Sequence, residues 1–391
     1  MQRSNKLVEY IKKIYKLQNK ERYYPDIFIK YLNTYYFDYN KIPNNPLYIT
    51  WNITNKCNLN CFFCSADSEC NSNIGHNELS DSDRKKIVEK IIKWGVLYVS
   101  IQGGEPTLCS DLIEIIERLV NNNIFTEIIS NGTGIDEEFC KKIKFLNDSM
   151  YRIKISLDSC DEEINDRQRG KGSFKFATTA LELFTIYNIP NVRVQSVLTN
   201  FNKHDLFNLY VFLHQFKVNS FGFSLVLPVG RALNLEAPKI DIEILEQVMK
   251  ILEVQKKKRQ IKVEKVHLGY LQNIKECEEL FIENLDDTES NKIFKSKCDA
   301  GTTRLMIDPN GDVYPCDYLK FDEFKIGNIL INNYNEIWFN KTLTKIRNIT
   351  RFDKIGCKSC YRKNCNTGCM GLSYAKYNTI YAKDPNCKVE V

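Results

Sequence analysis

Residues 48–64 read YITWNITNKCNLNCFFC, a β-rich run that breaks directly into three cysteines. The alternation of β-branched and aromatic residues over 48–54 predicts a strand. Cys57, Cys61 and Cys64 follow at C-x3-C-x2-C spacing. Three thiolates on one tight loop suit three corners of a [4Fe–4S] cube and leave its fourth iron without a protein ligand. A small molecule can then bind that iron through amine and carboxylate groups. Phe62 and Phe63, between the ligands, would give the cluster an apolar wall. A structural zinc site takes four ligands, commonly two CxxC-like pairs. Cys70 is the available fourth, but it lies in a polar loop without pair spacing. A redox-active Cys61–Cys64 pair leaves Cys57 unexplained.

Outward from this stretch, short β-rich runs alternate with longer amphipathic ones. Strands are predicted at 48–54, 96–102, 124–130, 151–157, 192–198 and 219–226. Helices are predicted at about 81–94, 110–122, 136–146, 174–188, 203–216 and 241–259. Such alternation implies an α/β fold of parallel βα units, wound into either a doubly wound sheet or a barrel. Six units are too few to close an eight-stranded barrel, so an open, partial (β/α)6 TIM-like barrel is expected. Either architecture places ligands beyond the C-terminal ends of the strands. Those ends carry Cys57, then Gly103-Gly104-Glu105-Pro106, then Ser130-Asn131-Gly132, then Ser156-Leu157-Asp158, then Thr199-Asn200, then Pro228. Small and polar residues thus gather on one rim, as a polar ligand requires.

The expected organisation is an N-terminal helical cap over 1–46, the partial barrel over 47–235, bridging helices or a connector over 236–297, and a cysteine-rich domain over 298–391. The chain has 391 residues, 43% hydrophobic and 27% charged, which is ordinary for a globular protein. No apolar run reaches membrane-spanning length, and the N-terminus lacks a secretory h-region, so a cytoplasmic protein is expected, without membrane attachment. The net charge of +6 is diffuse, which argues against nucleic acid as a partner. Fifteen cysteines are the abnormal feature. In a cytoplasmic chain, tight groups of thiols read as metal or cluster ligands rather than disulfides.

The second group holds Cys298, Cys316, Cys357, Cys360, Cys365, Cys369 and Cys387. Seven ligands exceed one four-coordinate site, and two clusters would use eight. Such a glycine- and turn-rich segment is expected to fold around metal rather than to build its own apolar core. Zinc is the alternative here, since iron and zinc share tetrahedral sulfur. Cys70, Cys109, Cys140 and Cys160 read as ordinary buried or loop cysteines.

Over residues 47–228 the chain resembles the radical S-adenosylmethionine (radical SAM) superfamily. The resemblance rests on Cys57, Cys61 and Cys64, on Gly103 to Pro106, on Ser130 and Asn131, on Ser156 and Asp158, and on Arg169. It implies that S-adenosylmethionine (SAM) chelates the open iron and is cleaved by one electron to a 5′-deoxyadenosyl radical. It implies further that Glu105 accepts from the SAM amine while Gly103 and Gly104 let the backbone approach. Ser156 would contact the ribose or carboxylate, and Arg169 would pair with the carboxylate. The C-terminal cysteines resemble the SPASM domain, with one residue fewer than usual between Cys360 and Cys365. That resemblance assigns Cys298, Cys316 and Cys369 to a first auxiliary [4Fe–4S] cluster. It assigns Cys357, Cys360, Cys365 and Cys387 to a second. The open place on the first would take a substrate thiolate or Cys277.

Such enzymes most often modify peptides or proteins. The expected substrate is a ribosomally made peptide that receives a thioether or carbon–carbon crosslink. The expected electron donor is a flavodoxin or ferredoxin, under anaerobic conditions. The residues before the barrel are fewer than the family's leader-binding module needs, so a separate leader-binding protein is a further expected partner. The alternative is an anaerobic sulfatase-maturing enzyme, making formylglycine from Cys or Ser. There VYPCDYLK would supply Asp317 as a base. A haem-synthesis-type or other small-molecule enzyme is a third reading, and a cluster- or zinc-binding adaptor is the non-enzymatic one.

Overall fold

The computed structural model describes residues 42–68, 78–226, 228–235, 242–258, 261–263, 298–360, 368–385 and 387. The helical cap expected before residue 42, most of the connector, Cys70, Cys277 and Cys365 lie outside the described residues. The chain alternates strand and helix: β1 Tyr48–Thr54, α1 Asp81–Lys93, β2 Tyr98–Gly103, α2 Leu112–Asn121, β3 Phe125–Ser130, α3 Glu137–Ile143 and β4 Tyr151–Ser156. Then come α4 Glu162–Arg169, α5 Ser173–Ile186, β5 Val192–Leu198, α6 Leu206–Phe212, β6 Ser220–Leu225, α7 Ile242–Lys258 and β7 Lys262–Val263. The C-terminal part adds β8 Arg304–Ile307, β9 Asp312–Tyr314, β10 Gly327–Asn328, α8 Tyr334–Trp338, α9 Lys341–Asn348 and α10 Met370–Tyr377.

All the strands share one sheet in the order β10-β9-β8-β1-β2-β3-β4-β5-β6-β7. From β1 to β7 each strand pairs in parallel with its predecessor, and the order never reverses. A doubly wound sheet needs such a reversal, so the winding is that of an open, partial barrel. Two features differ from the sequence expectation. Helix α4 occupies a stretch expected as loop, started by the Asp161 side chain accepting from Ile164 N. The C-terminal segment also does more than wrap metal. Strand β8 pairs in parallel with β1, and Leu305, Ile307, Val313, Trp338 and Leu343 enter the barrel's own core. A second apolar cluster forms around Leu319, Phe324, Ile346 and Met370. The sequence signal was weak because β8 to β10 are only two to four residues long.

The period of two along each strand sorts the side chains. Ile49, Trp51, Val99, Ile101, Ile153, Ile155, Val194 and Phe223 face the helices and join one buried cluster with Ile87, Ile91, Ile116, Leu181, Phe184 and Leu209. The opposite, inner face is polar. On β5 the outward residues are buried, while inward Arg193, Gln195 and Val197 are half-exposed, so the lumen is open to water. Deeper in the lumen Glu127 takes Arg152 Nε at 2.8 Å on one oxygen and Lys154 Nζ at 2.7 Å on the other. Burial alone would push this carboxyl up; Lys154, Arg152 and Arg193 outweigh it and hold it far below the usual carboxylate range. The stabilisation therefore persists into strongly acid solution, because a depressed carboxyl loses it only as pH falls through the folded value. Glu127→Gln leaves Arg152 and Lys154 without their shared counter-charge. It is expected to destabilise the fold by about 3–5 kcal/mol, read as a lower urea midpoint at neutral pH.

Candidate active site

The cysteine loop is joined to the end of β2 by backbone hydrogen bonds. Gly104 N donates to Thr54 O (2.7 Å) and Glu105 N to Lys56 O (2.8 Å). A Cβ on Gly103 would lie 2.3 Å from Thr54 O, and one on Gly104 2.0 Å from Lys56 O. Gly103 also sits at φ +136°, where side chains are rarely tolerated. These glycines therefore make room for the chain's own β1 loop. Glu78 secures the same turn from outside, accepting from Thr54 Oγ1 (2.9 Å) and Asn55 N (2.7 Å).

Glu105 lies at the same junction. Its side chain is 1% exposed and turned into the protein. One oxygen accepts from Ser130 Oγ (2.7 Å) and Thr107 Oγ1 (2.7 Å), the other from Asn131 N (2.7 Å). Burial pushes this carboxyl up, and those donors pull it back. Glu105 and Ser130 thus tie the ends of β2 and β3 together. Asn131 reaches the cysteine loop, donating from Nδ2 to Asn58 Oδ1 (2.9 Å), while Asn58 Nδ2 donates to Thr133 Oγ1 (2.8 Å). Pro106 is buried and opens a single 3-10 turn.

Arg169 and Asp158 find each other. Arg169 Nε and Nη2 donate to the two Asp158 oxygens at 2.7 and 2.9 Å, and Asp158 Oδ1 also accepts from Val197 N (2.8 Å). Arg169 is therefore a buried side chain, bidentately paired with Asp158. Its guanidinium lies over the Phe63 ring at 5.3 Å, and its carbonyl accepts from Cys61 Sγ at 3.5 Å. Ser156, half-buried on the inner face of β4, remains turned toward the lumen.

Cys57, Cys61 and Cys64 are brought together, each within the others' electrostatic reach. Burial pushes the Cys57 thiol up to about 12 and raises that of Cys61, partly offset at Cys61 by Arg169 and Arg231. Such thiols stay protonated until a metal displaces the proton. Phe62 and Phe63 stack edge to face at 5.3 Å and pack with Val226 and Ala232, the apolar wall expected between the ligands. Sequence reasoning missed Gly230 and Arg231. Arg231 N donates to Cys64 O (3.0 Å) and Arg231 Nε to Cys61 O (2.9 Å). A Cβ at Gly230 would lie 2.5 Å from Cys64 O. A lone Gly-Arg after Pro228 carries no pattern that points to this clamp.

Cys298, Cys316 and Cys369 line one cavity of about 240 Å³, with Arg304, Tyr318 and Gly371. Burial pushes Cys298 up to about 12, Cys316 well above its usual value and Cys369 upward. Backbone N–H groups of Leu372 and Gly371, at the start of α10, oppose the shift at Cys369. A cavity this size exceeds a lone ion several-fold, since even a water molecule occupies only about 30 Å³. Three thiols around one cavity, Cys298, Cys316 and Cys369, fit an iron–sulfur cluster. Cys357 and Cys360 stand at the half-exposed edge, and Ile355 N donates to Tyr381 O (2.7 Å), bringing the segment that carries Cys387 alongside. Cys140 is buried in the core, and Cys160 Sγ donates to Asp205 (3.4 Å).

Asp317 is reached from the barrel. Its carboxylate accepts from Gln102 Nε2 (3.0 Å) and pairs with Arg304. Arg304 in turn donates to Thr50 Oγ1 on β1 (3.0 Å) and lines the Cys298–Cys316–Cys369 cavity. Lumen and auxiliary site thus share one wall.

A partial barrel with three cysteines on its first loop and a second thiol-lined cavity against its lumen defines an iron–sulfur enzyme. Residues 51–213 match the family model of the radical SAM superfamily and residues 298–366 that of the SPASM iron–sulfur cluster-binding domain, so the chain carries a radical SAM domain and a SPASM domain. It is 28% identical to the mycofactocin maturase MftC of Mycobacterium tuberculosis, over 88% of this chain and 83% of that one. To the AdoMet-dependent heme synthase of Methanosarcina barkeri it is 23% identical, over 88% of this chain and 97% of that one. Among solved structures it is similar to Streptococcus suis SuiB bound to S-adenosylmethionine (TM-score 0.70, 20% identity, 93% of this chain and 81% of that one). It is also similar to anSMEcpe with bound AdoMet (TM-score 0.62, 21% identity, 88% and 91%).

Gly104→Ala drives a methyl into Lys56 O and displaces the cysteine loop. Reductive SAM cleavage is expected to fall about 100-fold while far-UV circular dichroism is unchanged. Iron analysis and methionine release check this.

Proposed function

We propose that this chain modifies a side chain of a peptide or protein in the barrel lumen, forming a thioether or carbon–carbon crosslink in a ribosomally made peptide. The observation that carries the reading is Arg304, which lines the auxiliary thiol cavity and also reaches Thr50 and Asp317 at the lumen. A substrate held in the lumen would then lie against the group able to take its surplus electron. Two similar proteins favour a peptide: one is named a maturase, and SuiB has been crystallised with its precursor peptide SuiA.

Cys57, Cys61 and Cys64 would hold the SAM-binding [4Fe–4S] cluster. Cys298, Cys316 and Cys369 would hold the first auxiliary cluster, and Cys357, Cys360, Cys365 and Cys387 the second. When bound, the cluster and SAM supply one-electron reductive cleavage and a radical able to take hydrogen from an unactivated carbon. The protein's part is positioning and exclusion of water. Ser156 offers a hydroxyl to SAM from the lumen face. Phe62 packs on Phe63 and, at 5.6 Å, on the exposed Phe201, which gives the loop side an aromatic edge. Gln102 and Arg304 fix the Asp317 carboxylate at the lumen wall. A flavodoxin or ferredoxin would supply the electron, in a reducing, oxygen-poor cytoplasm, and a separate protein would present the peptide's leader. No helix among the described residues is long and apolar enough to cross a membrane.

The position of Asp317 favours one second reading, oxidation of Cys or Ser to formylglycine with Asp317 as the base. Asp317→Asn separates the two: lost formylglycine formation on a Cys- or Ser-containing peptide with SAM cleavage retained would favour the second reading.

In the anaerobically reconstituted chain, replacing Cys57, Cys61 and Cys64 together by Ala is expected to remove about four irons and abolish methionine release. Iron and sulfide analysis with product chromatography checks this. A wild-type chain that binds zinc and no sulfide would overturn the reading.

A further inference from the structure

Lys354 is 1% exposed and one of the largest wholly buried side chains. A lysine is almost never buried so completely without anionic partners. Its electrostatic neighbours are Cys357, Asp384, Cys369 and Cys298. Cys369 and Cys298 belong to the first auxiliary set, and Cys357 to the second. The backbone has the same double attachment. Lys354 O accepts from Cys357 N (3.1 Å). Asp384, also buried, accepts from Cys369 N through Oδ2 (2.5 Å) and from Cys387 N through its carbonyl (2.9 Å). The approach leaves no slack at Gly368, where a Cβ would lie 2.2 Å from Asp384 Cβ. Lys354 and Asp384 therefore stand between the two ligand sets: each holds the second set by its backbone, the Asp384 carboxylate bonds Cys369 of the first, and the Lys354 side chain lies within electrostatic reach of both.

Neutral thiols are poor company for a buried ammonium, and desolvating a charge costs several kcal/mol unless opposite charge lies close. Cluster-bound cysteines are thiolates and supply that charge. The potential of a cluster in turn rises with nearby positive charge, because reduction adds an electron to a site already negative. We propose that Lys354 is a positioning residue shared by both auxiliary clusters, whose fixed charge raises their reduction potentials and favours electron acceptance from the lumen side. The proposal rests on the two-cluster reading of the C-terminal cysteines.

The test uses the full chain carrying Cys57→Ala, Cys61→Ala and Cys64→Ala, so that only auxiliary signals remain. Lys354→Met removes the charge and keeps the length; Lys354→Arg keeps the charge. After anaerobic reconstitution, iron and sulfide are measured and the clusters are titrated redox-potentiometrically by electron paramagnetic resonance. The expected result is a shift to more negative potential in the Met variant and little change in the Arg variant. Loss of auxiliary iron in the Met variant with retention in the Arg variant supports the same role. Unchanged potentials in a fully loaded Met variant overturn the proposal, as do equal shifts or equal iron loss in both variants. Zinc without sulfide in the Lys354-intact chain defeats the two-cluster reading instead, so the two failures are distinguishable.

Discussion

The site depends on two backbone hydrogen bonds that leave no space between the chains they join. Gly104 N on Thr54 O and Glu105 N on Lys56 O lay the end of β2 directly against the loop that carries Cys57. Two adjacent glycines permit that approach, and Glu105 then uses its carboxylate to draw in Ser130 and Asn131. Asn131 in turn holds Asn58 within the cysteine loop. The loop is thus fixed from two neighbouring strand ends before any cluster binds. This is the rigidity a site needs if its thiols are to present three corners of a cube and leave one iron open.

The opposite side of the loop is fixed by charge and rings. Arg169 pairs with Asp158, covers Phe63 and meets Cys61 through its carbonyl, while Arg231 grips Cys61 from the segment after β6. Two cations beside one ligand offset part of the burial cost of its thiolate form. The same arithmetic recurs at the C-terminal end, where Lys354 is enclosed by cysteines of both sets. In each place a buried cation marks where a cluster's negative charge is to be housed.

Much of this was legible in the sequence, for reasons particular residues show. The alternation in 48–54 and its repeats announced β1 to β6, because a strand with one apolar face cannot hide its period of two. The spacing of Cys57, Cys61 and Cys64 put three thiols on one loop, and the structure brings them together, whereas the grouping of Cys298, Cys316 and Cys369 came from the SPASM resemblance and not from spacing. What sequence could not separate was contact with a ligand from contact with the protein. Glu105 bonds to Ser130 and Asn131 at the end of β3, and Arg169 pairs with Asp158 after β4, so residues expected at the ligand also have partners within the protein. A carboxylate followed by proline reads the same in either role. Arg304, Arg231 and Lys354 were invisible for another reason. Each is a single basic residue in an unremarkable stretch, and its importance comes only from what folding brings beside it.

Strand β8 has a consequence for how the molecule is built. It pairs in parallel with β1, the strand that feeds the cysteine loop, and its Leu305 and Ile307 lie in the barrel core. The C-terminal cysteine region is therefore welded to the catalytic half along a sheet seam, not hung from it by a tether. A chain cut ahead of Arg304 would lay bare the peptide groups of β1 and a strip of aliphatic core. Such an edge invites other chains to pair with it, so aggregation, rather than a slimmer working barrel, is the natural fate of a truncated form.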